Sequence, residues 1–222
     1  MPDSCCGGTC YDEAFDPRLA QRELRAFRRN GPGRASQALA DALASGGTEG
    51  LTVLDIGGGV GAIHEQLLER GAARAVDVDA SRAYLEAARE EAVHRGVADR
   101  VTFRYGNFVE LAPEIDAADL VAMDRVVCCF GDVDALVGLA AERTRRRLAI
   151  TLPPEWRLFR FGIWVGNTWY RLTRSEYRAY VHPHERVVAA ARGAGLAPVA
   201  ATTVGMWRLL VFERPVLSVD SP

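Results

Sequence analysis

The sequence of 222 residues contains no lysine, and all 27 of its basic residues are arginine. This absence excludes chemistry that needs a lysine amine, such as a Schiff base, a lysine general base or the lysine of a phosphate-binding loop. The arginines are outnumbered by 29 acidic residues, which gives a formal net charge of -2. A nucleic-acid-binding chain would be strongly basic, so we expect no nucleic-acid partner.

The sequence contains no long apolar run, and we expect no secretory leader. No apolar stretch reaches the ~18 residues of a membrane-spanning helix, so we expect no membrane span. The first residues, MPDSCCGGTCYDEAFD, contain neither a basic nor an apolar segment of the secretory type. We therefore expect a cytoplasmic protein, whose five cysteines are free thiols or soft-metal ligands rather than a disulfide framework.

Strand-like and helix-like segments alternate through the middle of the chain. LTVLDI, RAVDVD, VTFRYG, DLVAMD and RLAITL have strand patterns, and a helix is expected over 133–146. Such alternation is typical of a parallel, doubly wound sheet. Two final strand patterns around Gly205 indicate a hairpin, so the last strand should be antiparallel. We predict an α/β fold with a seven-stranded, mostly parallel, Rossmann-like sheet.

The chain is expected to form a single domain, 1–222, without repeats. Its predicted parts are an N-terminal helical cap (1–45), a cofactor-binding core (46–152), a lid insertion (153–181) and a C-terminal helix with the hairpin (182–214). The insertion holds eight of the 18 aromatic residues and five arginines. We expect it to pack over the C-terminal edge of the sheet as an aromatic lid. Arginine interleaved with tryptophan and phenylalanine also suits a membrane interface. The apolar piece from Leu158 to Trp169 is short and is interrupted by Arg160, so we favour the lid.

Glycines follow the first predicted strand in VLDIGGGVGA. Bare backbone at this point lets a ligand approach closely, and the segment fits the loose dinucleotide fingerprint. Asp55 helps to distinguish NAD from S-adenosylmethionine as the ligand of this loop, because NAD would place a pyrophosphate beside the Asp55 carboxylate. Two like charges ~4 Å apart repel by ~1 kcal/mol in water and by ~4 kcal/mol at an intermediate dielectric. S-adenosylmethionine carries an ammonium and a sulfonium instead, so we favour it over NAD.

Polar residues at the ends of the next strands extend this prediction. Asp79 can accept both ribose hydroxyls, although Asp77 competes for that role. Asn107 can accept from the adenine amino group, and Phe108 can pack on the ring. Asp124 follows the fourth strand and can touch the methionine end or shape the pocket. The predicted cofactor-binding residues are Asp55, Gly57, Gly58, Gly59, Asp79, Ala80, Asn107, Phe108 and Asp124.

VLDIGGGVGA, AVDVDAS, YGNF and DLVAMDRV, in this order and at these spacings, resemble the successive motifs of class I S-adenosylmethionine-dependent methyltransferases. The resemblance covers about residues 34–213 and implies that fold, that cofactor and methyl transfer. RLAITLPPEWRLFRFG and RAYVH resemble, more narrowly, the magnesium-protoporphyrin O-methyltransferases. That subfamily has a histidine after its fourth strand, where this chain has VVCCFG.

Methyl transfer depends mainly on in-line positioning, and it needs a base only where the acceptor must lose a proton. The candidate catalytic residues are His182, Tyr180 and Cys129. His182 can equally be a surface residue at the start of a helix. The expected reaction is methylation of a small, partly apolar acceptor at oxygen. Methylation of a thiol or a thiolate-bound metalloid, and NAD-dependent oxidoreduction, are the alternatives.

The cysteines fall into two groups, one near the N-terminus and one after the fourth strand. If the fold brings the groups together, their thiolates suit zinc, copper(I) or arsenic(III). The alternative is that the second group is two small buried hydrophobic residues. The candidate ligands are Cys5, Cys6, Cys10, Cys128 and Cys129.

Overall fold

The computed structural model describes residues 9–215, with one sheet at their centre. Its strands are β1 (Thr52–Ile56), β2 (Arg74–Asp79), β3 (Val101–Tyr105), β4 (Ala118–Met123), β5 (Thr144–Leu152), β6 (Ala197–Val204) and β7 (Trp207–Glu213). They lie in the order β3-β2-β1-β4-β5-β7-β6. The first five strands pair in parallel, and β7 is antiparallel to both β5 and β6. The predicted seven-stranded α/β fold is confirmed.

Helices cover both faces of this sheet. They are α1 (Thr9–Ala14), α2 (Pro17–Asn30), α3 (Arg34–Ala44), α4 (Ala62–Glu69), α5 (Arg82–His94), α6 (Phe108–Leu111), α7 (Val133–Glu142), α8 (Arg157–Leu172) and α9 (His184–Gly193). Alternate side chains of a strand point to opposite faces. Along β1, Leu54 and Ile56 therefore join one core cluster, with α7 and α9, while Val53 joins a second, with α3 and α4.

One predicted boundary is wrong. The helix expected over 133–146 ends at Glu142, and β5 begins at Thr144. Thr144 is buried, pairs with Ala118 of β4, and donates from its hydroxyl to the carbonyl of Ala140 at 2.7 Å. A β-branched residue favours such an extended, buried position. The arginines that follow it therefore extend a strand rather than end a helix.

The N-terminal helix α2 is attached to α5 by one buried carboxylate. Glu91 of α5 is fully buried and accepts from Nε of Arg28 at 2.6 Å and from Nε of Arg95 at 2.7 Å. On the same side of α2, Leu24 and Phe27 pack into a cluster with residues of α5. The polar and apolar contacts together hold α2 against the core.

Replacing Arg28 with alanine should destabilise this attachment. Glu91 would keep only one of its two arginine partners, and hydrogen bonds to charged groups contribute about 1.5–3 kcal/mol each. We expect the free energy of unfolding to fall by about that amount in urea titrations. Arg25→Ala, an exposed position on the same helix, is the control and should change it by less than about 0.5 kcal/mol. Equal effects of the two variants would contradict the assignment.

The predicted lid insertion forms α8 and an irregular segment after it. The side chain of Asn167 holds the two together, donating to the carbonyl of Ala179 at 2.8 Å and accepting from its N–H at 2.9 Å. Within the described chain, no residue of α8 is buried. Across residues 9–215, no helix combines the length and the apolar character needed to cross a membrane.

Candidate active site

A cavity of about 220 Å3 opens at the C-terminal edge of the sheet, where β1, β2 and β4 end. All nine residues predicted to bind the cofactor line this cavity. They are Asp55, Gly57, Gly58, Gly59, Asp79, Ala80, Asn107, Phe108 and Asp124. The ends of parallel strands meet at one edge, so residues far apart in sequence converge there.

The protein itself requires part of the bare backbone after β1. Gly57 has a φ of +68°, and a Cβ there would lie 2.6 Å from Cγ2 of Val126. At Gly58 a Cβ would lie 2.4 Å from Oδ1 of the buried Asp77. Any side chain at either position would collide with a neighbour. The glycines therefore keep the loop close to the sheet as well as open to a ligand.

Asp55 forms a buried pair that the sequence analysis missed. Its Oδ2 accepts from Nδ1 of His64 at 2.9 Å and from the His64 N–H at 3.3 Å. Both side chains are at most 1% exposed. Its other oxygen, Oδ1, has no hydrogen-bond partner within residues 9–215. His64 thus orients the carboxylate, and one buried acceptor is left for a ligand.

Asp79 has a fixed orientation and unused acceptor capacity. Its Oδ2 accepts from the Gly59 N–H at 3.0 Å, and its Oδ1 accepts from the Ser81 N–H at 2.8 Å. A carboxylate has about four lone-pair sites, so about two remain available. Burial raises the pKa of Asp79 to about 6.

Lowering the pH through this value should weaken cofactor binding, because protonation would remove the acceptor that we predict for the ribose hydroxyls. At about pH 5, roughly a tenth of Asp79 stays ionised, so we expect affinity for S-adenosylhomocysteine to fall about tenfold relative to pH 8. Calorimetric titrations across this range measure the change. Asp79→Asn should bind weakly with little pH dependence, and a variant that still follows the wild-type profile would contradict the assignment.

The ionisation of Asp79 affects the stability of the folded protein in the direction opposite to its effect on cofactor affinity. Its pKa in the folded state lies above the ordinary ~3.9, so the protonated carboxyl favours the folded state. This contribution is fully present below about pH 4 and is lost as the pH rises to about 6. The ligand-free protein gains stability from Asp79 under the acidic conditions that weaken binding.

The adenine candidates also have structural contacts. Asn107 caps α6, with its Oδ1 accepting from the Val109 N–H at 3.0 Å, and its amide donates to Glu110 at 3.3 Å. Phe108 is 4% exposed and packs in the core. The cap fixes the Asn107 oxygen, which retains one lone pair toward a ligand.

Asp124 is held rigidly at the end of β4. Its carboxylate accepts from the hydroxyls of Ser36 and Thr151, each at 2.6 Å. The next residue, Arg125, adopts a left-handed φ of 59°, which is uncommon outside glycine. Its N–H donates to the Thr151 hydroxyl at 2.8 Å, and its half-exposed guanidinium lies beside Asp124. Both residues line the cavity.

Of the three candidate catalytic residues, only Cys129 lines the cavity within the described chain. Its sulfur accepts from the Tyr177 hydroxyl at 3.2 Å and lies 3.9 Å from the sulfur of Cys128. The hydrogen bond from Cys128 lowers the pKa of Cys129, and that from Tyr177 acts in the same direction. Both hydrogen bonds therefore stabilise the thiolate form of Cys129 relative to its thiol form.

His182 and Tyr180 lie behind that wall. The ring of His182 is hydrogen-bonded through Nε2 to the carbonyl of Phe130 at 2.7 Å, and burial lowers its pKa. Tyr180 stacks on this ring, with centroids 5.7 Å apart, and its N–H donates to the carbonyl of Cys128 at 2.7 Å. The structure thus places them where they support the loop that carries Cys129.

The aromatic part of the cavity lining was not predicted from the sequence. Tyr11, Phe15, Tyr84 and Phe130 all line the cavity. Tyr11 donates to the carbonyl of Cys129 at 2.9 Å, and Phe15 packs on Tyr84 with centroids 5.8 Å apart. The spacing of Tyr11 and Phe15, one helical turn apart, was the available signal.

Cys10 of the first cysteine group lies close to Cys129 of the second, but the five cysteines do not all remain available as metal ligands. Cys10 is 2% exposed and belongs to the same side-chain cluster as Cys129. Cys10 is disulfide-bonded, so the expectation that all five cysteines are free thiols or soft-metal ligands is wrong for Cys10. Cys5 and Cys6 lie outside the described residues. Within residues 9–215, no group of three or more histidines, cysteines or carboxylates is arranged to hold a metal ion.

Comparison with known proteins agrees with this architecture. Residues 53–146 match the family described as Methyltransferase domain. No curated protein matches the chain by sequence. Magnesium protoporphyrin IX methyltransferase ChlM from Synechocystis PCC 6803, with SAH bound, has a TM-score of 0.72 at 20% identity, covering 94% of this chain and 99% of that one.

Two further solved structures are longer proteins, of which this chain spans about three fifths. An O-methyltransferase family protein from Burkholderia thailandensis gives a TM-score of 0.68 at 23% identity, covering 90% of this chain and 61% of that one. Mitomycin 7-O-methyltransferase MmcR gives a TM-score of 0.63 at 22% identity, covering 92% of this chain and 60% of that one. At such identities the likeness shows the fold. With the family match, it confirms that the chain contains a class I methyltransferase domain, and the cofactor of that class is S-adenosylmethionine.

Proposed function

We propose that the protein transfers the methyl group of S-adenosylmethionine to an oxygen atom of a small, partly apolar acceptor. The observation that carries this proposal is the single cavity that joins the carboxylates and glycines at the strand ends to an aromatic wall with Cys129. One part suits a cationic nucleoside, and the other suits an apolar ring.

The residues present fit this cofactor. Asp55 offers a buried, unpartnered acceptor near the cationic methionine portion, and Asp79 offers two acceptor sites for the ribose. The fully buried Asp77 lies directly under Gly58, and burial raises its pKa well above the ordinary value. The carboxylates of Asp55 and Asp79 are therefore the groups that would oppose a pyrophosphate. Asn107 and Phe108 would take the adenine. The bound cofactor supplies an electrophilic methyl group on its sulfonium.

The acceptor would lie against the aromatic wall, held by Tyr11, Phe15 and Phe130 at the side of Cys129. Aromatic side chains provide large apolar area with fixed geometry, which favours a single in-line orientation. The Cys129 thiolate, stabilised by Cys128 and Tyr177, would accept the proton of a hydroxyl acceptor. A carboxylate acceptor needs no base. O-methyltransferases among the structural neighbours agree with an oxygen acceptor.

A matched series of phenol, benzoate, thiophenol and aniline derivatives tests the acceptor atom. The protein is incubated with S-adenosylmethionine carrying a labelled methyl group, and products are identified by mass spectrometry. We expect label on the phenol or benzoate members and little on the others. Label on thiophenols alone would replace this proposal with thiol methylation. The hydroxyl series should lose rate in Cys129→Ala, whereas the carboxylate series should not.

A further inference from the structure

The helix α8 has two apolar stripes, and only one of them faces this protein. Phe159, Ile163 and Tyr170 are partly buried against the chain. The other stripe, which we call the outer face, has residues spaced three or four apart, so they share one side of the helix. The outer face consists of Leu158, Phe161, Val165, Trp169 and Leu172, all of them exposed, with Leu158 at 79% and Trp169 at 65%.

The charge on this helix has one sign. Its 16 residues include Arg157, Arg160 and Arg171 and no acid. Arg174 lies two residues beyond its end, and the nearest acids in sequence are Glu155 and Glu176. All four arginines are exposed, and none of their guanidinium groups forms an ion pair with a described residue. Two exposed tryptophans, Trp156 and Trp164, lie at the start of the helix and among these arginines.

Other occupants of the outer face fit less well. Residues of α8 do not line the described cavity, so this face does not close over the cofactor site. The helix is about 24 Å long, shorter than the ~30 Å hydrocarbon core of a bilayer. In a symmetric dimer the same patch would meet itself, which would bring the arginines of two copies together.

We propose that α8 binds an anionic membrane surface. The outer face would enter the headgroup region with its aromatic residues, and the arginines would bind lipid phosphates. An amphipathic helix with aromatic and basic residues is suited to this position. Asn167 fixes α8 to Ala179, and Tyr177 of the same segment contacts Cys129, so the bound surface would lie beside the cavity. This inference does not depend on the acceptor proposed above.

The test uses the full chain and vesicles of phosphatidylcholine with or without phosphatidylglycerol at physiological ionic strength. Three of the four tryptophans, Trp156, Trp164 and Trp169, lie on or beside α8. We therefore expect a blue shift of the tryptophan emission and co-flotation with the anionic vesicles only. Phe161→Glu should reduce the partition at least about tenfold, and Arg160→Gln about fivefold, the equivalent of ~1 kcal/mol for one charge.

Val93→Glu is the matched control, because Val93 is an exposed apolar residue of α5, 70% accessible. It should bind vesicles as the wild type does, and all variants should keep the wild-type thermal midpoint. Three outcomes would overturn the proposal. These are no binding of the wild type to anionic vesicles, equal binding to both compositions, or wild-type binding by Phe161→Glu. A dimer that Phe161→Glu dissociates, without vesicle binding, would identify a second copy as the occupant.

Discussion

Replacing Asp79 with alanine should lower the affinity for S-adenosylhomocysteine by at least a hundredfold. The carboxylate has about two acceptor sites left after its bonds to the backbone at Gly59 and Ser81. Hydrogen bonds to a charged acceptor contribute about 1.5–3 kcal/mol each, so the loss of two is about 3–6 kcal/mol. Isothermal calorimetry measures the change directly.

Asp77→Asn is the control for this variant. Asp77 lies two residues earlier on β2 and is fully buried, but it does not line the described cavity. Asparagine keeps its shape, so we expect binding within about threefold of the wild type, because no ligand contact is removed. The opposite pattern, with Asp77→Asn weak and Asp79→Ala normal, would assign the ribose to Asp77.

The second large effect is expected from Gly57→Ala. Alanine would have to adopt the left-handed backbone conformation of Gly57, which costs about 1–3 kcal/mol. Its Cβ would also collide with Val126, which costs about another 1–3 kcal/mol. We expect unfolding free energy to fall by about 2–6 kcal/mol in urea titrations. Val126→Ala in the same chain should recover the part due to the collision.

Two other glycines separate the causes. Gly205 has a φ of +63° with nothing within 4 Å of a Cβ, so Gly205→Ala should show the backbone cost alone. Gly138 lies in α7 with an ordinary φ and open space, so Gly138→Ala should stabilise by about 0.5–1 kcal/mol. If Gly57→Ala cost no more than Gly205→Ala, Val126 would not restrict the loop.

The convergence of the predicted cofactor-binding residues at one cavity could be predicted because these residues follow strands. Asp79, Asn107 and Asp124 each stand at a strand end, and parallel strands bring those ends together without any knowledge of side-chain packing. The strand patterns themselves are local, so the sheet followed from short segments. The fold alone therefore determines that these residues lie at one cavity.

The aromatic side of the cavity depends on contacts between distant segments, which a single sequence does not specify. Tyr11 reaches Cys129 across 118 positions, and His182 reaches Phe130 across 52. Composition suggested that His182 could act in the cavity, but its position is fixed by packing of the last segments. The lid was expected from aromatic content, which does not distinguish the inner stripe of α8 from its outer face.

A side-by-side calorimetric titration of the wild-type protein with S-adenosylmethionine, S-adenosylhomocysteine and NAD tests the central claim most directly. The carboxylates of Asp55 and Asp79 beside the glycine loop favour a cationic ligand over a pyrophosphate. We expect both sulfur nucleosides to bind, NAD to bind far more weakly, and Asp79→Ala to abolish the difference. Tighter binding of NAD than of S-adenosylmethionine would contradict the account.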